Sequence, residues 1–164
     1  MFKNLKKRIN GTGIWGLVAI YIYIYGYNVY KLKFPILKNI LWIVYLILDL
    51  IFVKAICGSE FSPLAQIGKN VNFIHNAQGV MIAGGASIGD NTVIYHQVTI
   101  GVINDKKGAP EIGKNVFIGA GAKILGPIKI GNNVKVGANS VVLCDVPDDC
   151  TVVGIPARVI KKNK

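Results

Sequence analysis

Hydrophobic positions recur every six residues through the second half of the chain, over residues 67–146. A small or β-branched residue stands four positions after nearly every one of them, and Gly often follows directly. The repeating unit is an aliphatic residue, Gly, two variable residues, a small residue and one more variable residue. The aliphatic or aromatic positions of this frame are Ile67, Phe73, Ile82, Ile88, Ile94, Ile100, Ile112, Ile118, Ile124, Ile130, Val136 and Val142.

A hexapeptide repeat predicts a parallel β-helix. Each hexad forms one short strand and a turn, three hexads of about 18 residues close one triangular coil, and coils stack about 4.8 Å apart. The aliphatic side chain fills the interior, and the small residue fits beside it at the corner. No coil buries its own face alone, so stability is a sum of contacts between neighbouring coils. Ordinary strands joined by Gly turns would not keep twelve positions in one frame.

The frame is interrupted at two places. Nine residues separate Phe73 from Ile82, so the frame slips by three between them. The spacing from Ile100 to Ile112 is twelve, but the segment 102–111 is polar, contains Gly and Pro, and has no aliphatic residue at its middle position. A projecting surface loop is expected there.

Two apolar segments precede the repeat. Residues 9–30 carry no charge, are rich in Tyr and are long enough for a transmembrane helix. Ile and Tyr alternate over 20–25, which is also typical of a strand, but a strand would leave an unpaired edge, so a helix is favoured. Residues 36–56 contain Lys38, Asp49 and Lys54, which favours a helix lying among lipid headgroups. A membrane hairpin, and helices that cover the open end of the β-helix or pack in an oligomer, are the alternatives.

Charge separates the two ends of the chain from its middle. The 164 residues are enough for about one domain, are 52% hydrophobic and carry a net charge of +11. Residues 1–59 hold eight Lys or Arg and one acid, residues 158–164 hold four basic residues, and the stretch between holds seven of each sign. The basic, apolar front end suits an anionic membrane surface, and the basic tail suits an anionic small molecule. Nucleic acid is disfavoured, because the Tyr residues lie in an apolar stretch. We divide the chain into a membrane-associating unit, 1–59, and a β-helix unit, 60–164.

Two histidines are the only side chains that ordinarily act as bases near neutral pH. His75 stands two residues after Phe73, and His96 stands two residues after Ile94. Their separation of 21 equals one coil of about 18 residues plus the slip of three. If the slip is a local bulge, both imidazoles stack on one face and point outward, so we predict a site there. The three Cys show no zinc or CxxC spacing, so reduced thiols and no metal site are expected.

The repeat region resembles the hexapeptide-repeat acyltransferases, and within them the serine acetyltransferases. The matching pieces, within 67–160, are IGKNVNFIHNAQGV, IGDNTVIYHQVTIG, IGKNVFIGAGAKILG, IGNNVKVGANSVVL and VPDDCTVVGIPARVI. The short capsule and colanic acid acetyltransferases look more similar still, because they share the length, the two apolar helices and both histidines. This resemblance implies an all-β, left-handed parallel β-helix after two helices, acetyl-CoA as the acetyl donor, and a homotrimer with its active site between subunits.

The resemblance also implies roles for individual residues. His75 falls on the catalytic histidine, which takes a proton from the acceptor hydroxyl as that oxygen attacks the thioester. Glu60 falls where serine acetyltransferases carry an acid that contacts the acceptor, and Asn76 is a second acceptor-binding candidate. His96 orients His75, binds the acceptor or takes no part. The candidates for binding CoA, with small side chains beside the pantetheine arm and cations for the phosphates, are Gly101, Ala120, Ala138, Arg158, Lys161 and Lys162.

Three departures from the family pattern point away from serine as the acceptor. Gly108 and Ala109 stand where serine acetyltransferases carry an Arg-His pair that helps to hold the amino acid. Ile74 stands where an acid backs the catalytic histidine, and two apolar helices replace a long helical domain. Without a guanidinium the serine carboxylate lacks an obvious partner, whereas a sugar hydroxyl needs no cation.

These observations together predict an O-acetyltransferase that acetylates a sugar hydroxyl of a lipid-linked surface polysaccharide precursor. The enzyme would be cytoplasmic and held on the inner face of a bacterial cell membrane. Serine O-acetyltransferase is the alternative within the family, and a non-catalytic membrane-associated scaffold is the alternative outside it. A γ-type carbonic anhydrase uses the same prism but needs three histidines on zinc, and this chain has two.

Overall fold

The computed structural model describes residues 2–104 and 107–162, with side chains from residue 12 onward. Asp105 and Lys106 of the predicted loop, and the basic side chains of the first eight residues and of Lys164, lie outside this described part. The second half is a left-handed parallel β-helix of about four turns, which confirms the fold predicted from the repeat. Short strands pair in parallel with the equivalent strands of the next coil.

Three sheets form the sides of the prism. Sheet A stacks β1 (Glu60–Phe61), β4 (Met81–Ile82), β7 (Thr99–Gly101), β10 (Lys123–Leu125) and β13 (Val141–Val142). Sheet B stacks β2 (Gln66–Ile67), β5 (Ser87–Ile88), β8 (Glu111–Ile112) and β11 (Lys129–Ile130). Sheet C stacks β3 (Asn72–Phe73), β6 (Val93–Ile94), β9 (Phe117–Ile118), β12 (Lys135–Val136) and β14 (Cys150–Gly154), with the antiparallel β15 (Ala157–Lys162) at its outer edge.

Strand register shows where the chain departs from a regular coil. Along sheet C, Phe73 pairs with Ile94, Ile94 with Ile118, Ile118 with Val136 and Val136 with Val152. The first step is 21 residues, because the turn after β3 carries three extra residues. The second step is 24, because the segment between β7 and β8 carries six more. The frame slip and the loop are therefore local insertions that leave the stack in register.

The core consists of the six-step side chains, nearly all of them fully buried. One corner of the prism, between sheets B and C, repeats Asn in the left-handed region, which Asn tolerates better than most residues. These residues form a ladder of side-chain amides, from Asn70 to Asn91 (3.3 Å), Asn91 to Asn115 (3.3 Å) and Asn115 to Asn133 (3.1 Å). The sequence thus encodes both the interior and one corner of each coil.

Two helices precede the prism, as predicted. Helix α1 (Phe2–Tyr30) is broken at Gly13 and lies against the first coil. The Tyr23 hydroxyl donates to the carbonyl oxygen of Ala65 (2.8 Å) and accepts from the amide of Ile67 (3.2 Å). It thereby satisfies backbone groups at an edge that would otherwise lack partners. One alternative for the two front helices was that they cover the open end of the β-helix. Helix α1 does so.

Helix α2 (Pro35–Leu48) continues as a π-helix (Asp49–Ile56), and both pack on α1. By length and composition, the 22-residue helix Pro35–Ile56 is sufficient to cross a membrane. Ala19 and Tyr23 belong to the same buried core as the first coil. The division of the chain into units 1–59 and 60–164 stays a prediction.

Candidate active site

The two histidines meet at one corner of the prism, between sheets C and A. Because Phe73 pairs with Ile94, His75 and His96 occupy equivalent positions on successive coils. Their ring centroids lie 5.1 Å apart in an edge-on arrangement. His75 is exposed, whereas His96 is half-buried and its Nδ1 is buried without a hydrogen-bond partner. The structure therefore brings together the pair that sequence spacing singled out.

The turn that carries His75 has an unusual backbone. Its residues His75, Asn76 and Ala77 all have φ near +60°, in the left-handed region. Asn adopts this region readily, but for His and Ala it costs about 1–2 kcal/mol each. The turn lifts the His75 imidazole out of the sheet and into solvent. A conformation of this kind persists only where surrounding contacts enforce it.

Ser59 supplies much of that enforcement from inside the turn. Its buried hydroxyl hydrogen-bonds to the carbonyl of Ala77 and accepts from the amide of Val80 (3.0 Å). The amide of Gly79 donates to the carbonyl of Cys57 (2.9 Å). The bend before β1 and the turn after β3 are thus joined through side-chain and backbone bonds.

Helix α1 covers the other side of the same turn. At Gly16 a Cβ atom would lie 3.2 Å from the backbone of Asn76, and at Gly13 it would overlap the Asn76 Oδ1 atom. Gly13 also has φ +75° and marks the break in α1. Two glycines therefore allow the helix to approach the turn that carries His75. Asn76, predicted to bind the acceptor, lies against α1.

A column of corner positions runs from His75 down the prism. Counting two residues past each paired sheet C residue gives His75, His96, Ala120, Ala138 and Gly154. Backbone hydrogen bonds join successive corners, from Gly121 to His96 (3.0 Å) and from Asn139 to Ala120 (2.8 Å). We call this the His75 column. Its side chains shrink with distance from His75, which leaves an open track along the lower coils.

The remaining predicted residues lie at different distances from the column. Glu60 is exposed on β1. Its backbone amide donates to the carbonyl of Val80, just after the His75 turn. The amine of Lys123, three coils further along sheet A, donates to the carbonyl of Gln97 (2.6 Å). Gly101 is buried at the last position of β7, the central strand of sheet A, where the amide of Gly126 donates to its carbonyl (2.9 Å).

The polar loop leaves the prism from the corner between sheets A and B. Gly108 lies against Pro127 there, and Ile103 lies against Gly126. The His75 column occupies a different corner of the same chain. The loop is therefore close to the histidines in sequence but does not share their corner.

Arg158, Lys161 and Lys162 are exposed on β15, at the end of sheet C farthest from His75. β14 and β15 form an antiparallel hairpin, in which Val153 pairs with Arg158 and Thr151 pairs with Lys161. The three predicted phosphate ligands therefore lie beside the far end of the His75 column, near Gly154.

Tyr95 and Ser59 contact the turn that carries His75, and neither is among the site residues predicted from the sequence. Tyr95 packs its ring edge-on against His75, with centroids 5.8 Å apart, and against Phe117 at 5.3 Å. Its position directly before His96 is a usable signal, because neighbours on a coil share a corner. Ser59 had none, since nothing in its local sequence predicts contact with residues 77 and 80.

The ion pairs of the described residues are Lys54–Asp49 and Lys129–Glu111, so neither histidine there has a carboxylate within 4.0 Å. Nor do any three His, Cys, Asp or Glu side chains in that part of the chain come together as metal ligands would. Burial raises the pKa of the Cys57 thiol, beneath the turn. The chemistry available at this corner is that of an imidazole, backbone amides and a few exposed charges.

Comparisons with known proteins agree on one group of relatives. The family model described as bacterial transferase hexapeptide (six repeats) matches residues 109–144. Serine acetyltransferase from Staphylococcus xylosus is 40% identical over 154 residues, which are 93% of this chain and 67% of that protein.

Two solved structures show the same fold. Neisseria gonorrhoeae serine acetyltransferase in complex with serine matches with a TM-score of 0.72 and 36% identity, over 85% of this chain and 54% of that one. Brucella abortus serine acetyltransferase in complex with coenzyme A matches with a TM-score of 0.77 and 34% identity, over 89% of this chain and 56% of that one. The chain spans about half the length of these solved relatives.

These relatives overturn the prediction of a sugar acceptor. A sugar hydroxyl of a lipid-linked polysaccharide precursor was inferred from the missing Arg-His pair at Gly108 and Ala109, and this inference is wrong. The loop departs from the family pattern at two residues, whereas the likeness to a serine acetyltransferase extends over 93% of this chain. The closer likeness to capsule and colanic acid acetyltransferases is likewise unsupported, because the relatives found are serine acetyltransferases. The chain belongs to the serine acetyltransferase family of hexapeptide-repeat transferases.

Proposed function

We propose that this protein transfers the acetyl group of acetyl-CoA to the hydroxyl of L-serine, with His75 as the general base. The observation that carries the proposal is the His75 column, an exposed imidazole at the head of a track lined by Ala120, Ala138 and Gly154. The family relationship supplies the reaction class.

His75 has the position and chemistry that the reaction requires of a base. A serine hydroxyl is a weak nucleophile until a base removes its proton as it attacks the thioester carbonyl. An exposed imidazole on a raised turn is accessible to such a hydroxyl. Tyr95 and His96 both contact the His75 ring edge-on and fix its orientation. In this proposal they are positioning residues.

The amino acid acceptor would use a charge on the outward face of sheet A. Glu60 and Lys123 occupy the same register column there, separated by Met81 and Thr99. A carboxylate at Glu60 suits the ammonium group of serine. Lys123 lies three coils from Glu60, about 14 Å along the stack, which is too far for one serine to pair with both. Replacing Glu60 by Gln should raise the KM for serine more than the KM for acetyl-CoA.

Acetyl-CoA would lie along the His75 column. Corners are about 4.8 Å apart, so Ala138 lies roughly 14 Å from the His75 corner along the stack. An extended pantetheine arm covers a path of this kind. Arg158, Lys161 and Lys162 would then hold the phosphates beyond the last coil. The described residues fit an acetyl-CoA site on the surface of the prism, where small side chains leave space for the pantetheine arm along the column.

A neighbouring copy of the chain would complete the site. The loop between β7 and β8 lies at a different corner from His75 in the same chain. In the homotrimer that the family resemblance implies, the loop corner of one copy would face the histidine corner of the next. We therefore expect monomeric variants to lose activity although their prisms remain folded.

The decisive experiment is acetyl transfer by the purified protein with L-serine, followed through loss of thioester absorbance. His75→Asn is the informative variant, because Asn tolerates the left-handed conformation but is no base at neutral pH. It should lower kcat/KM by about 10²–10⁴-fold with little change in thermal stability. Asn70→Ala, at a left-handed corner of the same coil, is the control for destabilisation and should keep its activity. Full activity of His75→Asn would contradict the proposal and favour a scaffold role.

A further inference from the structure

Helix α2 and the following π-helix present an apolar face to solvent. The face, which we call the α2 face, consists of aliphatic side chains that are 44–78% exposed. They are Ile36, Leu37, Ile40, Ile43, Val44, Ile47, Leu50 and Ile51. Tyr45, Asp49 and Val53, on the opposite side, are buried. A helix that packs on a soluble protein normally shows the reverse arrangement, with a polar outer side.

A surface of this kind has a partner. Soluble monomers rarely leave a contiguous apolar patch of more than a few hundred Å² exposed. The eight aliphatic side chains recur at helical spacing. Of the two charged residues among them, Asp49 is buried on the opposite side and Lys38 donates to the carbonyl of Tyr30 (2.9 Å). A depression beside Phe34 at the start of α2 is lined only by apolar residues. The α2 face lies outside the His75 column and plays no part in the proposed reaction.

Charges around the α2 face indicate what covers it. Lys31, Lys33 and Lys38 stand at the start of α2, and Lys54 stands near the end of the π-helix. Asp49, the one acid in residues 12–59, is buried and paired with Lys54 (3.2 Å). The rim of the face is therefore positive. Anionic lipid headgroups complement such a rim, whereas the α2 face of a second copy would bring the same cations and no exposed acid to pair with them.

Aromatic side chains at the same end fit a lipid surface as well. The Trp42 and Tyr30 rings lie 6.4 Å apart, and the amine of Lys38 sits 4.9 Å from the Tyr30 ring centre. Trp, Tyr and Lys are enriched where hydrocarbon meets headgroups, because each has an apolar body and a polar tip.

Packing decides between lying on a membrane and spanning it. The Tyr45 ring fills the space beside Gly26 of α1, so the two helices are in close contact. A spanning α2 would have to leave α1 and expose Tyr45 and Asp49 to hydrocarbon. A helix lying in the interface keeps this packing and buries only the α2 face. We propose that the α2 face docks the protein on anionic membrane surfaces, with α2 lying in the headgroup region.

Vesicle co-sedimentation of the full chain tests this proposal. Vesicles of equimolar phosphatidylcholine and phosphatidylglycerol should bind the protein, and vesicles of phosphatidylcholine alone should bind it more weakly. Ile43→Glu should lower the partition coefficient about tenfold or more. Leu143→Glu places the same charge at an exposed aliphatic position on the last coil and should leave binding unchanged. Lys33→Gln and Lys38→Gln should each weaken binding to the anionic vesicles alone, by about fivefold.

Sedimentation of the same proteins without lipid shows whether a second copy of the chain covers the α2 face instead. An unchanged molecular mass for Ile43→Glu, together with lost vesicle binding, supports the proposal. Failure of the wild-type chain to bind anionic vesicles overturns it. So does a drop in mass for Ile43→Glu, because the α2 face would then join copies of the chain. None of these outcomes depends on serine acetylation, so the docking surface and the proposed function can fail separately.

Discussion

Ser59→Ala tests whether the left-handed turn that carries His75 is held from within. The hydroxyl joins the Ala77 carbonyl and the Val80 amide (3.0 Å) in a fully buried position. Removing it should cost about 1–3 kcal/mol, the usual range when buried hydrogen-bonding groups lose a partner. For a chain of this size that corresponds to a fall in Tm of roughly 2–12 °C.

Ser59→Ala should also slow turnover, because the hydrogen bonds that it removes hold the turn in its strained conformation. His75 and Ala77 together store about 2–4 kcal/mol of unfavourable backbone conformation. The Ser59 bonds are of comparable size, so their loss lets the turn relax. A displacement of the imidazole on the order of 1 Å can cost about 100-fold in rate. We expect kcat to fall by about tenfold to 100-fold, with a smaller change in the KM for acetyl-CoA.

Thr92→Val is the matched control for this experiment. Thr92 is also fully buried, and its hydroxyl donates to the carbonyl of Gly113 (3.3 Å) at the Asn corner, away from His75. It should lose similar stability and keep its kcat. Ser59→Cys, with a weaker donor of similar size, should be intermediate. A Ser59→Ala protein that melts earlier, as Thr92→Val does, yet turns over serine at the wild-type rate would refute a positioning role for the Ser59 hydroxyl.

Gly13, Cys57 and Asn91 each allow a separate test of one contact or one buried group. Gly13→Ala should destabilise the protein by about 2 kcal/mol or more, because Gly13 has positive φ and the added methyl group would overlap Asn76. Gly58→Ala is the control, since Gly58 also has positive φ but faces open space, and it should cost less. Thermal melts would distinguish the two variants. Burial raises the pKa of the Cys57 thiol, so mass-resolved alkylation at neutral pH should label exposed Cys144 first, and Cys57 should gain reactivity only as pH rises well past the usual thiol range. Asn91→Ala should cost about 1–2 kcal/mol in chemical denaturation, because it removes the middle of the amide ladder and leaves a left-handed alanine.

Sequence periodicity predicted the prism well because its determinants are local. A six-residue frame decides which side chains face inward, and the slip between Phe73 and Ile82 appears directly as a register of 21 residues. The same frame predicted that His75 and His96 would meet, because equivalent positions on successive coils are neighbours. Interior, corner and histidine pair all follow from counting along one chain.

Contacts between distant segments could not be counted in this way. The approach of Gly13 to Asn76 joins a helix to a turn more than sixty residues away, and no period relates them. The Ser59 bonds depend on a bend whose direction is set by packing. The acceptor was mistaken for a related reason, since the departures at Gly108 and Ala109 in the loop do not determine which acceptor the rest of the site binds.

Helix α1 packs against both helix α2 and the turn that carries His75. Its Tyr23 hydroxyl closes the exposed edge of the first coil, and its glycines lie against the turn that holds His75. The first coil therefore depends on α1 for its backbone partners, and the proposed base depends on the first coil for its position. Helix α2 packs on α1, and α1 packs on the His75 turn, so the α2 face and the turn are connected through these two interfaces. The front segment is structurally a part of the site, and removing it would expose the edge of the prism and free the turn together.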